Sequence, residues 1–298
     1  MLPMVAVFVT MVLWASAFVA IRYVGRELPA GALSLGRLVV GSVVLGAVVI
    51  LREHRWFGHR DLPRRSAWPN RGAWLRLVVC GVLWFGVYNV ALNEAERHVD
   101  AGTAAMLVNV GPILIAILAG LTLGEGFPRP LIAGSVLAFA GVVVIGVSTS
   151  PAQSLDWSGV LLCVVAAMGY AIGVVAQKPL LNDMSALRVT WLACTIGAIV
   201  CLPFAPFLIR ELGSADLPTI GWMVYLGVMP TALAFTTWAY ALARTSAGRL
   251  GATTYLVPPL AIVLGWALLG ETPPLLAFAG GALCLVGVYL SRRRDGGR

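Results

Sequence analysis

The sequence predicts an all-α integral membrane protein whose ten transmembrane helices form two inverted five-helix repeats. Three observations lead there. Of 298 residues, 59% are hydrophobic and 11% charged, whereas a water-soluble domain carries about a quarter charged. Apolar runs long enough to cross a hydrocarbon core, roughly 17 to 25 residues each, recur from end to end. Segments of residues 1–150 also return within residues 151–298, at a spacing of 146 residues or, early in each half, 156.

The apolar runs fall at 4–22, 31–51, 74–93, 101–123, 130–148, 158–177, 187–209, 219–241, 250–269 and 275–291. A lipid-exposed segment must satisfy its own backbone hydrogen bonds, so each run is expected to be a helix. The first has no basic stretch before it and no small-residue cleavage site after it, and is expected to stay in the mature protein rather than act as a signal peptide. Arg37 is the one cation clearly inside a span rather than at its edge, about a turn and a half from the outer end of the second. Tyr88, Asn89 and Asn93 lie in the outer half of the third, with Glu94 at its outer end. In the fourth, Asn109 stands just before Pro112, and a helix-interior proline removes a hydrogen bond and frees the Val108 carbonyl. The fifth and tenth carry Gly134, Gly141, Gly280 and Gly287, the pattern of close helix packing at a scaffold or a dimer surface. Thr236, Thr237, Trp238 and Tyr240 mark the eighth, and Thr253, Thr254 and Tyr255 precede Pro258 and Pro259 in the ninth.

Charge sets the orientation. With both termini in the cytoplasm, sixteen basic residues fall inside and four outside, with Arg37 within a span. Seven of the sixteen are arginines of the 52–76 loop, and Arg292, Arg293, Arg294 and Arg298 add four more. That is a positive-inside bias, and the loop reads as a topology determinant near anionic headgroups rather than as a nucleic-acid site. Twenty arginines against one lysine, with abundant Ala, Gly and Val, suggest a GC-rich bacterial genome and hence the bacterial plasma (inner) membrane. Cys80, Cys163, Cys194, Cys201 and Cys284 all fall in spans without metal-ligand spacing and read as packing residues. No metal or cofactor is expected.

The repeat carries the functional expectation. "NVGPILIAILAGLTLGE" (109–125) returns as "YLVPPLAIVLGWALLGE" (255–271), 146 residues later and without a gap. At the same offset "AGSVLAFAGVVV" (133–144) lies over "AGGALCLVGVYL" (279–290), and at an offset of 156 "WASAFVAIR" (14–22) lies over "YAIGVVAQK" (170–178). Each half holds five helices, an odd number, so the halves enter the membrane from opposite sides. Inverted repeats recur in secondary transporters, with the substrate near the midplane between them. Two five-helix halves, each with a Pro-containing fourth helix ending in "LTLGE" or "ALLGE" and a Gly-rich fifth, resemble the EamA-type members of the drug/metabolite transporter superfamily. "YALARTSAGRLGATTYLVPPLAIVLG" (240–265) is similar to that family's most typical segment. The resemblance implies a ten-helix exporter or exchanger of amino acids or related metabolites.

None of the thirteen acidic residues falls at a predicted mid-membrane position, which favours exchange or facilitated diffusion over proton coupling; Glu94 comes nearest. Arg37 is expected to snorkel or pair with Glu94, Glu96 or Asp100 at the outer mouth, or to capture a substrate carboxylate. Asn89, Asn93 and Asn109 are candidate polar hooks or interhelical glue. Trp14 and Tyr170 are repeat partners, as are Asn109 and Tyr255. With Trp84, Tyr88, Thr237 and Trp238 they outline a cavity with aromatic walls and few polar groups, suited to apolar zwitterions or amphiphilic drugs. Trp238 and Tyr240 also read as interfacial anchors, and Pro112, Pro258 and Pro259 as hinges. Glu125 and Glu271 are expected to cap the helix that follows each. No His-Glu-x-x-His, Gly-x-Ser-x-Gly or phosphate-binding glycine loop is present, so an enzyme is not expected. The alternative is efflux of lipophilic cations, weakened because the first helix has no glutamate. The expected partners are a small-molecule substrate and the lipid bilayer, with no nucleic acid, in a monomer or homodimer.

Overall fold

The structure, a computed structural model, describes residues 2–25, 27–56, 69–99, 101–149, 156–270 and 272–293. Most of the Arg-rich loop, Arg26, His59, Asp100, Glu271, Arg294 and Arg298 lie outside these residues. Among the described residues the chain is helical with no strand. In order the helices are α1 (Leu2–Val24), α2 (Ala30–Trp56), α3 (Arg71–Ala95), α4 (Ala101–Val108 continued as Gly111–Thr122) and α5 (Arg129–Thr149). Then follow α6 (Trp157–Asp183), α7 (Ala186–Val200 continued as Leu202–Leu212), α8 (Leu217–Leu242), α9 (Ala247–Leu268) and α10 (Leu275–Ser291).

By length and composition seven of these are long and apolar enough to cross a membrane, or eight if the bent α7 pair is one span. The perimeter is apolar: Phe8, Val43, Leu75, Val136, Leu161 and Leu285 are all more than half exposed, as lipid-facing side chains are. Helix starts are set locally by polar caps. Asn70, Asp156, Ser185 and Asp216 each accept a hydrogen bond from a first-turn amide of α3, α6, α7 and α8, satisfying donors that have no intrahelical partner.

Two predicted spans are not straight rods. α4 is interrupted at Asn109 and Val110, next to Pro112. α7 bends by 51° around a short 3₁₀ turn, Leu202–Phe204, where Pro203 and Pro206 remove backbone donors. α3 and α8 contain π-helical stretches, Gly81–Val87 and Gly227–Leu233, at positions 146 residues apart. The second includes Pro230.

The packing places α1 against α8 and α9, and α6 against α3 and α4. α2 lies against α7 and α8, α4 against α9, and α5 along α10. The last contact uses the glycines. A Cβ on Gly141 would stand 2.5 Å from the Gly280 carbonyl oxygen, and one on Gly287 2.6 Å from that of Gly134. The Gly-rich faces are therefore turned toward each other within one chain. Gly124 and Gly270, of the two Leu-Gly-Glu motifs, take φ of 69° and 70°, left-handed values that end α4 and α9 and that glycine adopts without strain.

Candidate functional site

A cavity of about 90 Å³ lies where α1, α2, α3, α4, α6, α8 and α9 converge. Six aromatic side chains stand in its wall: Trp14 and Phe18 from α1, Trp84 and Tyr88 from α3, Tyr170 from α6 and Phe235 from α8. Trp84 is the hub, with ring centroids 4.9 Å from Phe235, 5.5 Å from Tyr170 and 6.3 Å from Trp14. Such offset and edge-on ring pairs fix one another's orientation. Arg37, Asn89, Asn109 and Thr254 supply polar atoms, and Pro112 and Val257 close the wall beside the interruption of α4 and the 3₁₀ turn Thr254–Leu256 within α9.

The π-helical stretches explain two of the polar groups. A π turn shifts the hydrogen-bond ladder by one residue and leaves a carbonyl without its usual partner. In α3 that need is met by Asn89, whose Nδ2 donates to the carbonyls of Phe85 at 2.8 Å and Trp84 at 3.4 Å. In α8 the Thr231 hydroxyl donates to the Leu226 carbonyl at 2.8 Å and accepts from Arg37 Nε at 3.1 Å. Arg37 is 5% exposed and neither snorkels nor pairs with an outer-mouth acid among the described residues. Glu94 is engaged at the membrane edge instead, with Arg97 at 3.3 Å and His98 at 3.6 Å.

The sequence-selected residues divide cleanly. Trp14, Arg37, Trp84, Tyr88, Asn89, Asn109, Pro112 and Tyr170 line the cavity. Asn93 donates to Ser34 on α2 at 3.0 Å, and Thr237 pairs with Thr10 on α1 at 2.8 Å, so both join helices. Trp238 is fully buried, 5.0 Å from Trp14, behind the wall rather than at the interface. Tyr240 does lie beside a cation, with the Arg244 guanidinium 3.6 Å from its ring. Tyr255 is fully buried against Phe139 of α5. Pro258 is buried, and Pro259 faces Gly281 of α10. Phe18 and Phe235 also line the wall without having been singled out as site residues, and Thr254, noted among the polar residues of the ninth run, lines it as well. Two of these had a signal in the sequence: Phe18 follows Trp14 by four residues on the same helix face, and Phe235 is the 146-residue repeat partner of Asn89.

The two ends of the bundle are held by charge. Glu125 caps a helix, but not the one that follows it. Its Oε1 and Oε2 accept from the amides of Ala247 at 2.6 Å and Gly248 at 3.0 Å, at the start of α9. Beside it Lys178, at the end of α6, donates to the carbonyls of Leu242 at 2.6 Å and Thr245 at 2.7 Å. The turn between α8 and α9 is thus gripped from both sides. At the opposite end Asp156 accepts from the Ser158 amide and meets His98 at 3.0 Å. The Ser158 bond first, and His98 second, hold its carboxyl below the usual 3.8.

Known proteins resemble the chain over most or nearly all of its length. A probable terminal-alkyne amino-acid exporter of Streptantibioticus cattleyicolor is 38% identical over 293 residues, 98% of this chain and 94% of its own. A probable amino-acid metabolite efflux pump of Salmonella typhimurium is 27% identical, over 70% of this chain and 72% of its own. A solved structure 19% identical covers 97% of this chain and 96% of its own with a TM-score of 0.75, and so shares the fold. A profile of the EamA-like transporter family matches residues 1–147 and again 157–293. The chain is a multi-pass membrane protein that belongs to the EamA-like transporter family.

Proposed function

We propose that the protein exports or exchanges small metabolites, amino acids above all, by alternating access around the central cavity, with two inverted five-helix repeats, residues 1–150 and 151–298, as its moving parts. The observation that carries this reading is the cavity itself. It lies where the interruption of α4 and the 3₁₀ turn within α9 meet the π-helical stretch of α3, with Phe235 of α8 placed just past that helix's own π-helical stretch, and broken helices beside a midplane site are what alternating access uses. The contacts support the repeat: exchanging α1 with α6, α3 with α8 and α4 with α9 carries the packing of α1 on α8 and α9 into that of α6 on α3 and α4. The relatives named as exporters of amino acids or their metabolites support the substrate class. In this reading all ten helices cross a bacterial plasma membrane, with both termini cytoplasmic.

No acid lines the cavity among the described residues, which supports exchange that ignores a proton gradient. The test is counterflow into liposomes preloaded with mixed amino acids and metabolites, read by mass spectrometry with and without a pH gradient. Selective exchange of a few amino acids, indifferent to the gradient and unchanged in Glu94→Gln, is the expected result. Movement only with a gradient, abolished by Glu94→Gln, would replace exchange by proton coupling at that edge carboxylate.

A further inference from the structure

We propose that Arg37 selects the substrate by binding a carboxylate, so that the cavity takes molecules joining a carboxylate to an apolar body and rejects lipophilic cations. The proposal takes its physiological meaning from the transport reading above, but its test does not depend on transport.

Arg37 is a cation within the apolar interior, and three observations fix what it lacks. It is 5% exposed and part of the cavity wall. Its Nε is bound to Thr231, whose own proton is committed to the Leu226 carbonyl, so one edge of the planar guanidinium is held in place. The remaining N–H donors, on the Nη atoms, are left for the cavity. Its ionisable neighbours are Tyr88 and Cys194, a phenol and a thiol that are neutral at ordinary pH. Among the described residues no carboxylate lines the cavity.

A buried charge without a counter-ion is costly, and in a membrane span it marks a site of function. The missing partner is an anion. A carboxylate fits a guanidinium edge with two parallel hydrogen bonds, a geometry that a spherical cation site cannot imitate. The rest of the wall matches an amino acid's other parts. Trp14, Trp84 and Phe235 offer apolar area for a side chain, and Asn89, its Nδ2 spent on the α3 carbonyls, presents Oδ1 as an acceptor for an ammonium group. A cation without a carboxylate meets like charge at Arg37.

The test is calorimetric titration of the purified full-length protein in detergent with three probes: phenylalanine, 3-phenylpropanoate, which lacks the ammonium, and phenethylamine, which lacks the carboxylate. Wild type is expected to bind the first two and to bind phenethylamine at least roughly tenfold more weakly. Arg37→Gln should lose phenylalanine by about the same factor while eluting as a monodisperse species, and Arg37→Lys should recover part of it. Should Arg37→Gln fail to fold, the discrimination among the three probes by wild type decides. Equal binding of phenethylamine and phenylalanine, no binding of either carboxylate, or full binding by a folded Arg37→Gln protein overturns the proposal. The expected binding pattern without any liposome exchange supports the carboxylate site and refutes the transport reading.

Discussion

Replacing Glu125 by alanine removes the cap that α4 places on α9. The two amides it serves belong to Ala247 and Gly248, both buried, so in the variant they lose a partner that water cannot readily replace. A hydrogen bond to a charged group contributes about 1.5–3 kcal/mol in mutational series, and a carboxylate at a helix N-terminus adds about 0.3–1 kcal/mol. Effects that share one carboxylate do not add fully, so the expected loss is roughly 2–4 kcal/mol. Glu125→Gln keeps one acceptor oxygen and should lose about half as much. The assay is the fraction of detergent-purified protein that stays monodisperse after heating, with a midpoint expected to fall by roughly 5 °C or more for Glu125→Ala. Lys178→Met releases the Leu242 and Thr245 carbonyls of the same turn, and the double variant should lose measurably less than the sum of the singles. A Glu125→Ala protein that melts within about 1 °C of wild type, or strict additivity with Lys178→Met, refutes the view that this turn is held by the pair.

Three further outcomes follow from the same contacts. Asn89→Leu preserves the volume but strands the Trp84 and Phe85 carbonyls, and should lower stability by about 1–3 kcal/mol in the same heating assay. Gly141→Ala drives a Cβ toward the Gly280 carbonyl and Cys284 and should cost about 1–3 kcal/mol, whereas Gly221→Ala, with no atom within 4 Å of its added Cβ, should be neutral. Because the Asp156 carboxyl is held below its usual value of 3.8, its contribution is complete above that pH and is lost as the pH falls through the lower folded value. The stability advantage of wild type over Asp156→Ala should therefore persist at pH 5 and shrink only below 3.8, as followed by thermal unfolding across pH.

Most of the helical layout was legible because hydropathy is a property of the chain itself. Seven of the expected runs coincide with long apolar helices, and the interruption of α4 was foreshadowed by Pro112. The bend in α7 was not anticipated, although Pro203 and Pro206 stand in that run, because its hydropathy stays high on both sides of them. The π-helical stretches left no local signature, because the bonds that compensate them come from Asn89 and Thr231 side chains whose placement depends on the fold. The environment of Arg37 was equally hidden. A cation near a span end suggests headgroups, and only the approach of Thr231, 194 residues away, shows it fixed inside. The cap made by Glu125 was right in kind and wrong in target, for a carboxylate can choose among helix starts that meet only in space. Tyr255 was selected by asymmetry with Asn109, yet an aromatic at that position turns toward α5 and α10 rather than toward the cavity.

The seam between α5 and α10 has a mechanical meaning. With carbonyls where side chains would normally intervene, the two backbones approach closely enough that a Cβ at Gly141 or Gly287 would collide with the neighbour's carbonyl, and the fit depends on each glycine facing its counterpart. Sliding one helix along the other would bring Ile145 or Ala138, which border this seam, into a carbonyl of its neighbour. Separating them would open a void that no side chain can fill. Rolling either helix about its own axis would turn its glycines away from their counterparts. In the proposed alternating-access cycle the pair would therefore move as one rigid body, tying the two proposed repeats together while other helices shift around it.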